Sequence, residues 1–171
     1  MASRILLIIC LAVVFASTPA CSTLSNTGAR LTDEQKNYLD QALPKNVREI
    51  LENSDKFAIL ADNGETSKSG FDFTPTRIVL ITDDSLKREL LQSLYHDVAV
   101  NPVRAACYSP HHGIQAEYMG QKVKIDICFT CARIEVLSPT GGSFGAMILE
   151  GRELEGKVVK LINDEGKPLA K

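Results

Sequence analysis

The stretch that most constrains the fold runs from Ile114 to Ile127, IQAEYMGQKVKIDI, where apolar and polar residues alternate on both sides of a glycine. Alternation with period two marks a half-buried strand, and two such runs meeting at Gly120 read as a β-hairpin. A two-residue turn at Gly120 and Gln121 would give the glycine the positive φ that primed turns require, and would pair Met119 with Lys122. In that register Tyr118 faces Val123, Ala116 faces Ile125 and Ile114 faces Ile127, all apolar. The other face carries Glu117 beside Lys124 and Gln115 beside Asp126. A slip of one residue would mix the two faces. The hairpin therefore predicts an antiparallel sheet with Ile114, Tyr118, Val123, Ile125 and Ile127 turned toward a core.

The start of the chain sets the compartment. Met1 to Ala20 carries one charge, Arg4, then an apolar run from Ile5 to Ala16 and the small-residue segment Ser17 to Ala20. That is the layout of a secretory signal peptide, and the apolar run is short for a transmembrane helix. Cys21 directly after Ala20 resembles the bacterial lipoprotein site, where the cysteine becomes the acylated N-terminus; Thr18 departs from the usual Leu. The expected organisation is a signal peptide over 1–20, a lipidated tether over 21–30 and a single domain over 31–171. The chain then faces the periplasm or exterior of a bacterial cell envelope, held to its membrane by fatty-acyl (palmitate-type) chains on Cys21. Simple cleavage to a soluble exported protein is the alternative. The whole chain has a formal net charge of −2, and losing Arg4 with the leader makes the remainder one unit more acidic. No basic face for nucleic acid is expected from such a balance.

Elements around the hairpin follow from capping and spacing. Thr32 to Gln35 reads as a capping box ahead of Tyr38, Leu39, Ala42 and Leu43. Pro44 interrupts, and Val47, Ile50 and Leu51 continue a second helical piece. Phe57 to Ala61 and Arg77 to Ile81 read as strands around a polar loop, Asp62 to Pro75. Asp83 or Asp84 caps a helix with Leu86, Leu90, Leu91, Leu94 and Val98 on one face and His96 on the other; it ends at Asn101 and Pro102. Arg133 to Leu137 alternates as a strand, Ser138 to Ser143 turns, and Phe144 to Leu149 reads as the last strand. Leu154, Val158, Leu161 and Ile162 mark a C-terminal helix closing near Gly166. The fold class is α+β, an antiparallel sheet with a central β-hairpin and flanking helices.

Of five cysteines, Cys10 lies in the leader and Cys21 is assigned to lipid, which leaves Cys107, Cys128 and Cys131. A disulfide framework wants an even number, whereas three thiolates and one imidazole fill a tetrahedral zinc site. The spacing, Cys107 to His111 and Cys128 to Cys131, suits two half-sites, and the hairpin register puts His111 diagonal to Cys128. His112 points with Ile114 toward the core. The candidate metal ligands, zinc foremost, are Cys107, His111, His112, Cys128 and Cys131. Three other chemistries compete. A structural disulfide would join two of the three thiols. Thiol exchange at Cys128 and Cys131 would lack the helix N-terminus that activates such pairs, because the motif lies between strands; a helix starting at Cys131 would favour exchange. A nucleophilic Cys107 with His111 or His112 has no orienting third residue or oxyanion hole in view. Ala132 after Cys131, rather than His, excludes the usual haem attachment.

Ala106 to Gly113 (ACYSPHHG) with Ile125 to Cys131 (IDICFTC) is similar to a group of small bacterial proteins, many of them predicted lipoproteins. Their pattern is Cys-Phe-x-Pro-Arg-His-Gly and, after a hairpin, Asp-x-x-Ile-Cys-Phe-x-Cys. The likeness extends to Leu43, Pro44, Val47 and Arg48, and to Pro168, Leu169 and Ala170. The group is uncharacterised, so the resemblance implies no activity. It aligns the group's histidine with His112 and sets His111 where the group has arginine; a ligand at His112 would need a local bulge. The functional expectation is an envelope-anchored domain, not an enzyme, whose Cys/His cluster is structural or metal-binding and which meets an envelope protein partner. The alternative is an extracytoplasmic thiol redox or metal-handling protein using Cys128 and Cys131.

Overall fold

The computed structural model describes residues 31–62, 74–100, 107–140, 143–147 and 153–165. The signal peptide, Cys21 and its tether lie outside the described residues. So do most of the expected loop after Asp62, the helix stop at Asn101 and Pro102, the end of the last strand, the closing Gly166 and the matched Pro168 to Ala170. Among the described residues the order is α1 (Asp33–Ala42), α2 (Lys45–Asn53), β1 (Lys56–Ala61), β2 (Arg77–Leu80), α3 (Asp84–Val100), β3 (His112–Tyr118), β4 (Gln121–Cys128), β5 (Arg133–Leu137), β6 (Ser143–Met147) and α4 (Glu153–Glu165).

Helices α1 and α3 start where a side chain replaces missing backbone partners. Thr32 accepts from the Gln35 amide at 3.2 Å and Gln35 accepts from the Thr32 amide at 2.9 Å, closing the expected capping box. Pro44, which has no amide proton to give, is the N-cap of α2 and so separates it from α1. Asp83 caps α3, its Oδ1 accepting from the amides of Ser85 at 2.7 Å and Leu86 at 3.3 Å. Buried residues recur at helical spacing: Val47, Ile50 and Leu51 in α2; Leu90, Leu91, Leu94 and Val98 in α3; Leu154 and Val158 in α4. The buried Asp97 of α3 accepts from the Leu154 amide in the first turn of α4 at 3.4 Å, fastening the two helices together.

The strands form one antiparallel sheet in the order β2-β1-β3-β4-β5-β6. The hairpin is present, with a register two residues from the expected one: Tyr118 pairs with Gln121, Ala116 with Val123, Ile114 with Ile125 and His112 with Ile127. The turn is Met119 and Gly120, both at positive φ (50° and 77°), so glycine takes the second central position and Gln121 rejoins the ladder. Two positive φ values match the right-handed twist of the flanking strands, which explains why this turn wins despite a methionine in the left-handed region. The shift is an even number of residues, so both faces survive it. Val79, Ile59, Ile114, Ile125 and Val136 form one row across five strands, each at most 3% exposed. That face and the buried sides of all four helices make a single apolar cluster.

The opposite face holds the chemistry. Leu60, Gly113, Asp126 and Glu135 follow one another across it. Beyond the end of that row, the Asp62 amide donates to the His111 carbonyl at 3.1 Å and the His111 amide to the Ile127 carbonyl at 3.3 Å. These two bonds prolong the ladder by one step and set Asp62, His111, Cys128 and Arg133 in a line.

Candidate functional site

The segment Cys107 to His111 crosses the outer face of β4 and β5 and is pinned at nearly every residue. The Tyr108 hydroxyl donates to the Asp126 carbonyl at 3.4 Å, and the Arg133 guanidinium lies 4.9 Å from the Tyr108 ring centre. Gly145, which pairs with Glu135, leaves space for the Arg133 side chain, since a β-carbon there would lie 3.3 Å from its Nη2. Burial holds the Tyr108 hydroxyl well above its ordinary range. Pro110 is buried.

The three thiols come together at Cys131. The Cys107 and Cys128 side chains both lie beside its sulfur, and the Ser109 backbone amide faces it. All three are free thiols; Cys107 is exposed, and Cys128 and Cys131 are buried. Burial, then the hydrogen bonds to Cys107 and Cys128, push the Cys131 thiol up to about 12, against which the Ser109 amide works. Cys128 ends β4, residues 129–132 form a turn and β5 starts at Arg133. Inside that turn the Ala132 amide donates to the Phe129 carbonyl at 3.1 Å, with Ala132 at φ 49°. A strand rather than a helix therefore follows Cys131. Among the described residues no helix starts at this thiol, so the activation that a helix N-terminus gives such pairs is missing here.

The two histidines point elsewhere. His111 lies on the same face as Cys128, yet its Nδ1 stands 3.0 Å from both carboxylate oxygens of Asp62, and its Nε2 is 3.5 Å from Ser109 Oγ. His112 sits on the inner face between Ala61 and Ile127, its ring 5.1 Å from that of Phe129 and tilted by 52°. Burial first, and then the neighbouring His111, hold the His112 imidazole below its ordinary pKa. The ladder runs without interruption through the His112 and Ile127 pair, so no bulge turns this ring to the thiol side. Among the described residues no group of three or more His, Cys, Asp or Glu side chains is arranged to hold a metal ion. The thiols thus meet one another, while the imidazoles have partners of their own.

Two neighbours of the site were not expected from the sequence. Asp62 follows the apolar run Phe57 to Ala61 directly, and a β1–β3 pairing would have found it. Asp126 is a buried carboxylate whose Oδ1 lies 2.9 Å from Lys124 Nζ, an ion pair without hydrogen-bond alignment. Burial pushes its pKa up, with Lys124 opposing. His96, on the polar side of α3, is exposed and approaches Asp97 at 3.5 Å. Compared with protein-family models, with curated proteins and with solved structures, the chain finds no match.

Proposed function

We propose that this chain is an exported, lipid-anchored domain of a bacterial envelope, without catalytic activity of its own, whose three cysteines act as a clamp on the Cys107 to His111 segment. The observation that carries the reading is the contact of Cys131 with both other thiols. Cys107 comes from the connection ahead of β3 and Cys131 from the turn after β4, so a link between them fastens one to the other. In an oxidising compartment that link is a disulfide. Closing the loop of about 25 residues between Cys107 and Cys131 would contribute roughly 3–4 kcal/mol on a chain-entropy basis. The clamped segment, with Tyr108, Ser109 and His111 on the outer face of the sheet, is the surface offered to an envelope protein partner.

The test is thermal unfolding of the exported protein with a reductant or a chelator. Reductant is expected to lower the Tm and chelator to leave it unchanged, with Cys131→Ser abolishing the reductant effect. The opposite pattern would replace the disulfide by a thiolate-bound metal such as zinc. The anchor is tested separately: labelled fatty acid is expected in the wild type and not in Cys21→Ser, and equal labelling would remove the lipid anchor from the proposal.

A further inference from the structure

Three thiols around one turn cannot all be paired, and the position of the odd one has a chemical consequence. Cys131, only 7% exposed, reaches both partners; Cys128 is 2% exposed. Cys107 alone is open to solvent. One disulfide can therefore exist in two forms with Cys131 as their common member. If it joins Cys107 and Cys131, the remaining thiol is Cys128, shut inside the protein. If it joins Cys128 and Cys131, the remaining thiol is Cys107, on the surface.

We propose that the cluster is a disulfide-exchange port, in which Cys107 receives a small-molecule disulfide and Cys131 passes the oxidation inward to Cys128. The inference rests on the clamp reading and goes beyond it by giving the clamp two states. The relay relies on proximity rather than on a lowered thiol pKa, because the mixed disulfide on Cys107 is delivered beside Cys131. The Cys107 thiolate attacks one sulfur of the external disulfide; its S–S bond breaks, one small thiol leaves, and a mixed disulfide remains on Cys107. The Cys131 thiolate attacks Cys107 Sγ, expelling the second small thiol and forming the Cys107–Cys131 disulfide. The Cys128 thiolate then attacks Cys131 Sγ, and Cys107 departs as a thiolate. Two protein thiols have been oxidised, one external disulfide has been reduced to two thiols, and the last step changes no oxidation state. The oxidised domain again shows a surface thiol, so Cys107 becomes a site of S-thiolation by the low-molecular-weight disulfides of the compartment.

The experiment uses the reduced, signal-processed protein with excess 5,5′-dithiobis(2-nitrobenzoate), followed by absorbance and then by mass mapping under non-reducing conditions. Wild type is expected to release three equivalents of thionitrobenzoate and to finish with an adduct on Cys107 and a Cys128–Cys131 disulfide. Cys128→Ser is expected to stop at two equivalents with a Cys107–Cys131 disulfide and no adduct. If wild type also stops at two, with Cys107 bonded to Cys131 and Cys128 unreacted, the port is overturned and the clamp stands. If wild type keeps an adduct on Cys107 with no protein disulfide at all, both fall.

Discussion

His111 Nδ1 stands 3.0 Å from each carboxylate oxygen of Asp62, a residue 49 positions away along the chain. The Asp62 side chain is only 9% exposed and that of His111 37%, so the pair is partly withdrawn from solvent. It joins the end of β1 to the residue before β3, on the face where the thiols lie. The imidazole is thereby held as the partner of a carboxylate. Arginine would suit the same task, since a guanidinium is a fixed cation with forked donors.

Asp62→Asn and His111→Ala are each expected to lower stability by about 0.5–1.5 kcal/mol, the range for a partly exposed charge-assisted bond. His111→Arg is expected to retain most of the stability. A double-mutant cycle on Asp62 and His111 in denaturant titrations measures the coupling directly. Additive losses would mean that the two side chains do not act as a pair in solution.

Ile125, fully buried at the centre of the inner row, is expected to cost roughly 2–4 kcal/mol when changed to Ala. On the outer face Lys124 differs from its exposed neighbour Lys122. Its side chain is 22% exposed and pairs with the buried Asp126, so Lys124→Ala leaves a carboxylate without its ion-pair partner. A loss of about 1–3 kcal/mol follows for Lys124→Ala, and under about 0.5 kcal/mol for Lys122→Ala. Equal effects at the two lysines would show that the outer face at Asp126 is solvated.

These contrasts show what the sequence can and cannot display. The faces of the hairpin were readable because period-two alternation is a local property, and an even shift leaves it intact. The particular pairs were not, because Met119 occupies a backbone region usually left to Gly, Asn or Asp, and nothing in the pattern announces that. The helix start at Thr32 was legible from capping chemistry, the next was narrowed to Asp83 or Asp84, and the stop at Pro44 followed from the missing amide proton. The site was legible only in part. Cys128 and Cys131 are near in sequence, and the hairpin returns the chain to Cys107. The partner of His111 depends on β1 lying beside β3, a long-range pairing that no local pattern encodes. For the same reason nothing in the alternation shows that Asp126, on the polar face, is only 6% exposed.

Met119→Asn is expected to stabilise the protein by up to about 1 kcal/mol. Asparagine tolerates the left-handed region, Asn-Gly is a favoured pair for this turn, and the methionine side chain is 79% exposed and loses little on removal. Gly120→Ala has room, with nothing within 4 Å of the added carbon, but φ 77° imposes a cost of about 1–2 kcal/mol. Opposite signs for the two variants in thermal unfolding would confirm the turn. A stabilising Gly120→Ala would refute it.

Two buried carboxylates, Asp97 and Asp126, set the expected pH dependence. Burial raises both pKa values above the ordinary carboxylate value, opposed at Asp97 by the Leu154 amide and His96 and at Asp126 by Lys124. The folded protein thus binds protons on these groups more tightly than the unfolded chain. Their contribution to stability is fully present below the unfolded pKa and is lost as pH rises through the folded one. Glu153 works in the other direction, because the Lys157 ammonium lowers its pKa, and its contribution is lost only as pH falls below the ordinary glutamate range. Just above the ordinary aspartate range the two aspartates therefore make unfolding free energy decrease with rising pH. The lowered His112 imidazole, whose contribution is present above its ordinary pKa and lost as pH falls, opposes them nearer neutral pH. Asp97→Asn and Asp126→Asn should each flatten that slope, and the double variant should flatten it further. Urea titrations at several pH values across this window make the measurement. A slope unchanged in both single variants would mean that neither carboxylate gains or loses its proton there.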